Sequence, residues 1–209
     1  LRKRFPEVSI HIVPTGEGEA LAELGRGADL ALVSTVGAPP PNGIAVPLYS
    51  WERVIVVPRD HALARLGRQP SLAELANEPL VSYDSTLRPE SSLRTAFTQS
   101  GHDPRIAFTA RDADLIKTYV RAGMGIGVLA EMAVSPKEDD DLVRLSVTDL
   151  LPQCMAWGVL PRERVPRDYT LALLTLLAPQ LDVRDLRRAM EGTFEGDWPT
   201  PPRWQDRVV

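Results

Sequence analysis

The chain has 209 residues, 44% of them hydrophobic and 25% charged, which is enough to bury a sizeable core in one domain or in two small ones. Its formal net charge of −4 at pH 7 argues against a nucleic-acid surface, which needs clustered positive charge to displace counterions. No apolar run approaches membrane-spanning length, no signal-peptide pattern opens the sequence, and a single cysteine, Cys154, excludes an intrachain disulfide framework, so the expectation is a soluble cytoplasmic protein.

Residues 1 to 6 read as the basic end of a helix closed by Phe5 and Pro6, and Val8 to Val13 alternates as a strand. The turn PTGEG leads into the helix EALAELGRG, and DLALVS follows as a buried strand. This order predicts a β-α-β unit, a parallel strand pair with a right-handed crossover. A proline-rich loop, APPPNG, precedes the strand-like GIAVPLYS and the strongly apolar RVIVVP. SLAELANEP has the cap and spacing of a helix, LVSY reads as a strand, and a helix from about Ser91 to Gln99 follows the loop DSTLRPE and ends at Gly101.

From Asp112, a plausible N-cap, the apolar residues Leu115, Ile116, Tyr119 and Val120 recur at helical spacing. Gly123, Gly125 and Gly127 interrupt that pattern before a short strand, Ile126 to Ala130. A dinucleotide site needs strand, glycines and then helix, so that a helix N-terminus faces the pyrophosphate; here the order is reversed and GxGxG is no nucleotide fingerprint. LVRLSV and MAWGVL follow as strands, then a long apolar helix from about Asp168 to Leu177 and a weaker one, DVRDLRRAM. The tail EGDWPTPPRWQDRVV has the composition of a disordered or partner-dependent end.

Catalytic patterns are missing: His11, His61 and His102 are scattered, Cys154 reads as a small buried hydrophobe, and there is no GxSxG, phosphate loop or HExxH. No catalytic, metal or cofactor residue is therefore predicted, and the carboxylate run Glu138 to Asp141 reads as a solvated loop. In open α/β sheets, ligands sit beyond the carboxyl ends of strands, where helix N-termini and loop amides converge. Four such ends are visible: the loop after Val13 with Thr15, Gly16 and Gly18; Ser34 and Thr35; the end of LVSY, which carries Ser82, with the loop from Asp84 through Thr86 to Arg88; and the turn before Asp112. Hydroxyls and backbone amides of this kind suit an anion or a zwitterion.

The runs RIAFTARDADLIKTYVRAGMGIGVLAEMAV, WERVIVVPRDHALA, LVSY and FPEVSIHI resemble the effector-binding domain of LysR-type transcriptional regulators, most closely the CysB-like branch, over about residues 1 to 190. The resemblance implies an α/β, two-lobed periplasmic-binding-protein-like (type 2) fold with two crossover strands. Lobe I would comprise 1–52 and 157–195, lobe II 53–156, and 196–209 a flexible tail. It implies an inducer between the lobes, of the sulfate, thiosulfate, O-acetylserine or N-acetylserine type. A homodimer or homotetramer is implied too, with the helices EALAELGRG and ESSLRTAFTQ at its interface. DNA would be read only through an N-terminal helix-turn-helix, which these residues lack, as they lack the family's threonine-rich first-strand motif. A solute-binding protein of the same fold serving a transporter is the alternative.

Carried over by position, the resemblance places Ser34 where the family holds its anionic ligand with a hydroxyl; a strand-end serine bonded to nearby backbone is the other reading. Trp51 matches a tryptophan near the lobe junction and reads as packed or as a ligand contact. Arg88 stands where the CysB pattern has a ligand-binding threonine, so it is either a charged fork for a larger anion or a solvated loop residue. Arg111 also replaces a family threonine and reads as surface. The expected ligand set is Thr15, Gly16, Ser34, Thr35, Trp51, Ser82, Asp84, Thr86, Arg88 and Asp112.

Overall fold

Residues 1–207 are described by the computed structural model. In chain order the elements are α1 (Glu17–Arg26), β1 (Ala31–Thr35), β2 (Ile44–Trp51), β3 (Arg53–Pro58), α2 (Leu72–Ala76), β4 (Leu80–Tyr83) and α3 (Ser92–Gln99). They continue with β5 (Ile106–Ala110), α4 (Ala113–Arg121), β6 (Ile126–Ala130), β7 (Leu142–Ser146), β8 (Cys154–Leu160), α5 (Asp168–Leu177) and α6 (Val183–Glu191). The chain divides into two units, one of Leu1–Ser50 with the residues from Cys154 onward, the other of Trp51–Gln153.

The first unit holds a three-stranded sheet in the order β1-β8-β2. Val33 lies opposite Trp157 and Ser34 opposite Ala156 in an antiparallel β1–β8 pair. Because side chains alternate along a strand, Ala31, Val33 and Val159 share one face, where Leu24 of α1 packs on them. Gly158 faces the other way, and a Cβ there would lie 2.5 Å from Leu174 Cδ2 of α5.

The predicted β-α-β unit does not form. Residues 8–13 belong to no strand, and Ile10, Ile12 and Val13 are 54%, 84% and 73% exposed. Alternation supplies a strand's two faces but not its hydrogen-bond partner. The described neighbour of β1 is β8, which arrives from far along the chain and runs the opposite way. The proline-rich end, whose composition suggests flexibility, lies against this unit: Ser50 N–H donates to Pro202 O at 2.9 Å. Nearby, Tyr49 and Trp204 ring centroids are 5.1 Å apart and the Arg207 guanidinium lies 4.5 Å from the Tyr49 ring centroid.

The second unit holds a five-stranded sheet in the order β5-β4-β6-β3-β7. β4 runs parallel to β5 and β6, while β3 is antiparallel to β6 and β7. Both faces are covered, with Ile55, Val57, Leu80 and Phe97 in one core and Val54, Val56, Ile116 and Val120 in the other. A strand buried on both faces needs apolar residues at every position, which is why RVIVVP does not alternate.

α4 forms where its cap and stripe place it: Asp112 accepts a hydrogen bond from Leu115 N–H at 2.8 Å, and Ile116 and Val120 are fully buried. Leu115, expected in that stripe, is 38% exposed. Gly125 has φ +154 and sits where a Cβ would lie 2.3 Å from Pro79 O, and a Cβ on Gly127 would lie 2.5 Å from Val56 Cγ2. Gly127 lets the strand pass under the helix, and Gly125 lets the chain pass close to the Pro79 carbonyl. The run Glu138 to Asp141 is not uniformly solvated, for Asp139 is 4% exposed and bonded to Lys117 and Arg121 of α4.

Candidate functional site

In the second unit, β4, β5 and β6 end at one edge of the sheet, at Tyr83, Ala110 and Ala130, and β3 begins there with Arg53 opposite Ala130. A 3-10 turn, Asp84–Leu87, follows β4 and leads to α3, whose N-cap Ser91 accepts from Arg94 N–H at 3.3 Å. The N-terminus of α4, capped by Asp112, follows β5. This is the edge at which parallel strands present helix N-termini and loop amides to a ligand.

Ser82 and Thr86 are almost wholly buried, at 2% and 4% exposure. Thr86 Oγ1 donates to Ser82 Oγ at 3.0 Å, and Ser82 Oγ donates to Val128 O at 3.3 Å. Both hydroxyl protons are used inside the unit, and the pair ties the turn to the sheet. Asp84 Oδ2 lies 3.9 Å from Arg111 Nε, and both side chains are open to solvent. Arg88 is exposed; its backbone N–H donates to Ser85 O at 3.3 Å, and among the described residues its guanidinium has no partner. Burial pushes the Tyr83 phenol above its ordinary value of 10.0, so at neutral pH it is a protonated donor.

Arg53 was not singled out by the sequence, because an arginine opening an apolar strand looks like an ordinary boundary charge. It is half-buried, with Nη1–H donating to Pro152 O at 3.0 Å and Nη2–H to Ser92 Oγ at 2.7 Å. Its guanidinium carbon lies 5.9 Å from the centroid of the half-buried Trp51 ring.

The remaining expected residues belong to the first unit. Thr15 donates to the Glu19 carboxylate, and Gly16 is the backbone N-cap of α1. Thr35 Oγ1 donates to Ala38 O at 2.8 Å and accepts from Trp157 Nε1–H at 2.9 Å. Ser34 lines a depression of about 90 Å³ with Leu32, Val33, Leu48, Tyr49, Ala156, Trp157 and Leu177. Its polar members are Ser34, Tyr49 and Trp157, so the lining offers hydrogen-bonding groups and no counter-charge. Among the described residues no His, Cys, Asp and Glu cluster could hold a metal, and no helix is long and apolar enough to cross a membrane.

Residues 1–182 match the family model described as the LysR substrate binding domain. The chain belongs to that family. Its two-sheet α/β architecture is the periplasmic-binding-protein-like type 2 fold of such domains. The transcriptional regulator CysB of Burkholderia cenocepacia is 34% identical over 93% of this chain and 62% of its own length. The regulator SsuR of the same organism is 36% identical over 87% of this chain and 59% of its own. The crystal structure of the cofactor-binding domain of the Cbl transcriptional regulator superimposes with a TM-score of 0.80 at 31% identity, covering 93% of this chain and 84% of that one. The chain thus spans about three fifths of the curated relatives it matches.

Proposed function

We propose that this LysR substrate-binding domain is the effector-sensing part of a cytoplasmic, CysB-like transcriptional regulator, and that its effector is a small anion or zwitterion of sulfur or cysteine metabolism. Similarity to CysB, SsuR and Cbl supports the regulator reading. The charge of the ligand rests on Arg88, an exposed guanidinium without a carboxylate partner among the described residues, in the connection from β4 to α3. A guanidinium presents a planar fork of donors suited to carboxylate, sulfate or sulfonate oxygens.

Sensing follows by population shift. An effector that binds one conformation of the domain better than another biases a homodimer or homotetramer, and the bias reaches DNA through a helix-turn-helix elsewhere in the regulator. The candidate ligand contacts in the second unit are Trp51, Ser82, Asp84, Thr86, Arg88 and Asp112; those in the first unit are Thr15, Gly16, Ser34 and Thr35.

Thermal melting of the full-length protein with sulfate, thiosulfate, O-acetylserine and N-acetylserine tests the reading. A ligand of the native state stabilises by mass action, about 2.7 kcal/mol at a hundred times its Kd. At least one of the four raises Tm in a concentration-dependent way. No shift with any of them, alongside stabilisation by an aromatic acid, overturns the sulfur assignment.

A further inference from the structure

We propose that Arg53 and Ser92 form a specificity-determining pair that grips the oxoanion group of the effector. The proposal rests on the anionic-effector reading above and adds two residues to it.

The guanidinium of Arg53 is half withdrawn from water, yet its contacts are all neutral: Pro152 O, Ser92 Oγ and the Trp51 ring. Among the described residues no carboxylate lies within ion-pair distance of it. The two other lysines and arginines of this unit that are not exposed do have one. Lys117 lies 3.1 Å from Asp139, and Arg94 3.8 Å from Asp103. Nearby carboxylates are engaged elsewhere, Glu52 by the Thr148 hydroxyl at 2.6 Å and Glu131 by Glu52 N–H at 2.9 Å and Arg144 at 3.4 Å. Withdrawing a cation from water without a counter-charge is costly, and an anion binding at Arg53 removes that cost.

Ser92 supplies the second half. A guanidinium has only donors, so Ser92 Oγ must accept in the Arg53 contact, which leaves the Ser92 O–H proton to donate elsewhere. Among the described residues it has no acceptor. Arg53 thus keeps the Ser92 proton available for another acceptor, and has N–H groups of its own left over. A ligand group with two or more oxygens and a fixed negative charge, such as sulfate or a sulfonate, accepts from both. Trp51 beside them presents a flat apolar surface to the rest of such a molecule.

Calorimetry of sulfate and thiosulfate binding to the full-length protein tests the pair with two variants. Arg53→Gln removes the charge and weakens binding about tenfold to a hundredfold, the range of a charge-assisted hydrogen bond. Ser92→Asp keeps Arg53 and its packing but supplies an internal carboxylate, so melting is preserved or raised while affinity for the oxoanion falls at least about tenfold. If Arg53→Gln fails to fold, Ser92→Asp decides. Parental binding of an oxoanion with Ser92→Asp unchanged overturns the pair and leaves the anionic reading standing. Failure of the parent to bind any oxoanion or acetylated serine overturns both.

Discussion

Lys117 Nζ lies 3.1 Å from Asp139 Oδ2, with 8% and 3% of the two side chains exposed. Asp139 also accepts from Arg121 at 2.9 Å and from Ser135 N–H at 3.0 Å, so its carboxylate ties the loop before β7 to α4. Removing the Asp139 charge takes one partner from each cation, while Lys117 keeps Asp114 at 3.1 Å and Arg121 keeps Asp141 at 2.7 Å. Asp139→Asn therefore weakens charge-assisted hydrogen bonds without stranding a buried charge, and destabilises the protein by about 1.5–3 kcal/mol, read by urea denaturation.

The same carboxylate shapes the response to acid. Burial pushes Asp139 up, but the Ser135 N–H and the cations Lys117 and Arg121 together hold it below its ordinary 3.8. A depressed carboxyl contributes stability that is present above the unfolded value and lost as pH falls through the folded one. Melting temperature thus holds as pH approaches about 4 and drops below that; Asp139→Asn has a shallower drop. An equally steep loss in the variant would assign acid sensitivity to other carboxylates.

Gly127 lies where α4 meets β3. A Cβ there would stand 2.5 Å from Val56 Cγ2 and 2.9 Å from Val120 Cγ2, and both of those side chains are fully buried. Overpacking of this kind costs about 1–3 kcal/mol. Gly127→Ala lowers Tm accordingly, whereas Gly16→Ala, which meets nothing within 4 Å, leaves packing intact.

Arg207 joins the chain end to the first unit. Its guanidinium lies 4.5 Å from the Tyr49 ring centroid and 5.0 Å from that of Trp204, and Nη2–H donates to Leu177 O at 2.5 Å. Cation–π contacts contribute about 0.5–2 kcal/mol depending on desolvation. Arg207→Ala lowers stability by about that amount and shifts Trp204 emission to the red as the ring gains water. Unchanged emission would mean that Trp204 stays on Tyr49 without the arginine.

Arg88→Thr distinguishes a ligand contact from a solvated loop residue. An exposed turn position carries little packing, so melting stays within about 0.5 kcal/mol of the parent. If the guanidinium grips the effector, affinity falls about tenfold to a hundredfold, whereas Ser34→Ala costs only a neutral hydrogen bond, about 0.5–1.5 kcal/mol. Titration calorimetry on both variants separates the two, and parental affinity in Arg88→Thr returns that residue to solvent.

Much of the second unit was legible in the chain. The Asp112 cap, the stripe through Ile116 and Val120, the three glycines and the strand Ile126–Ala130 stand where spacing places them. All are decided within a few residues, by capping, by sterics and by helical or alternating burial. Family membership was legible too, because several such motifs recur in order.

Partnership was not legible. Residues 8–13 alternate like a strand yet belong to no sheet, and β1 pairs with a strand more than a hundred residues away. Asp139 reads as one of four solvated carboxylates until Lys117 and Arg121 are set against it. Arg53 gains meaning only when Ser92, Pro152 and Trp51 surround it with neutral groups. Periodicity records which face of an element meets the core, and the sequence determines that alone; which distant backbone or charge lies opposite depends on chain path, so the tertiary structure decides it.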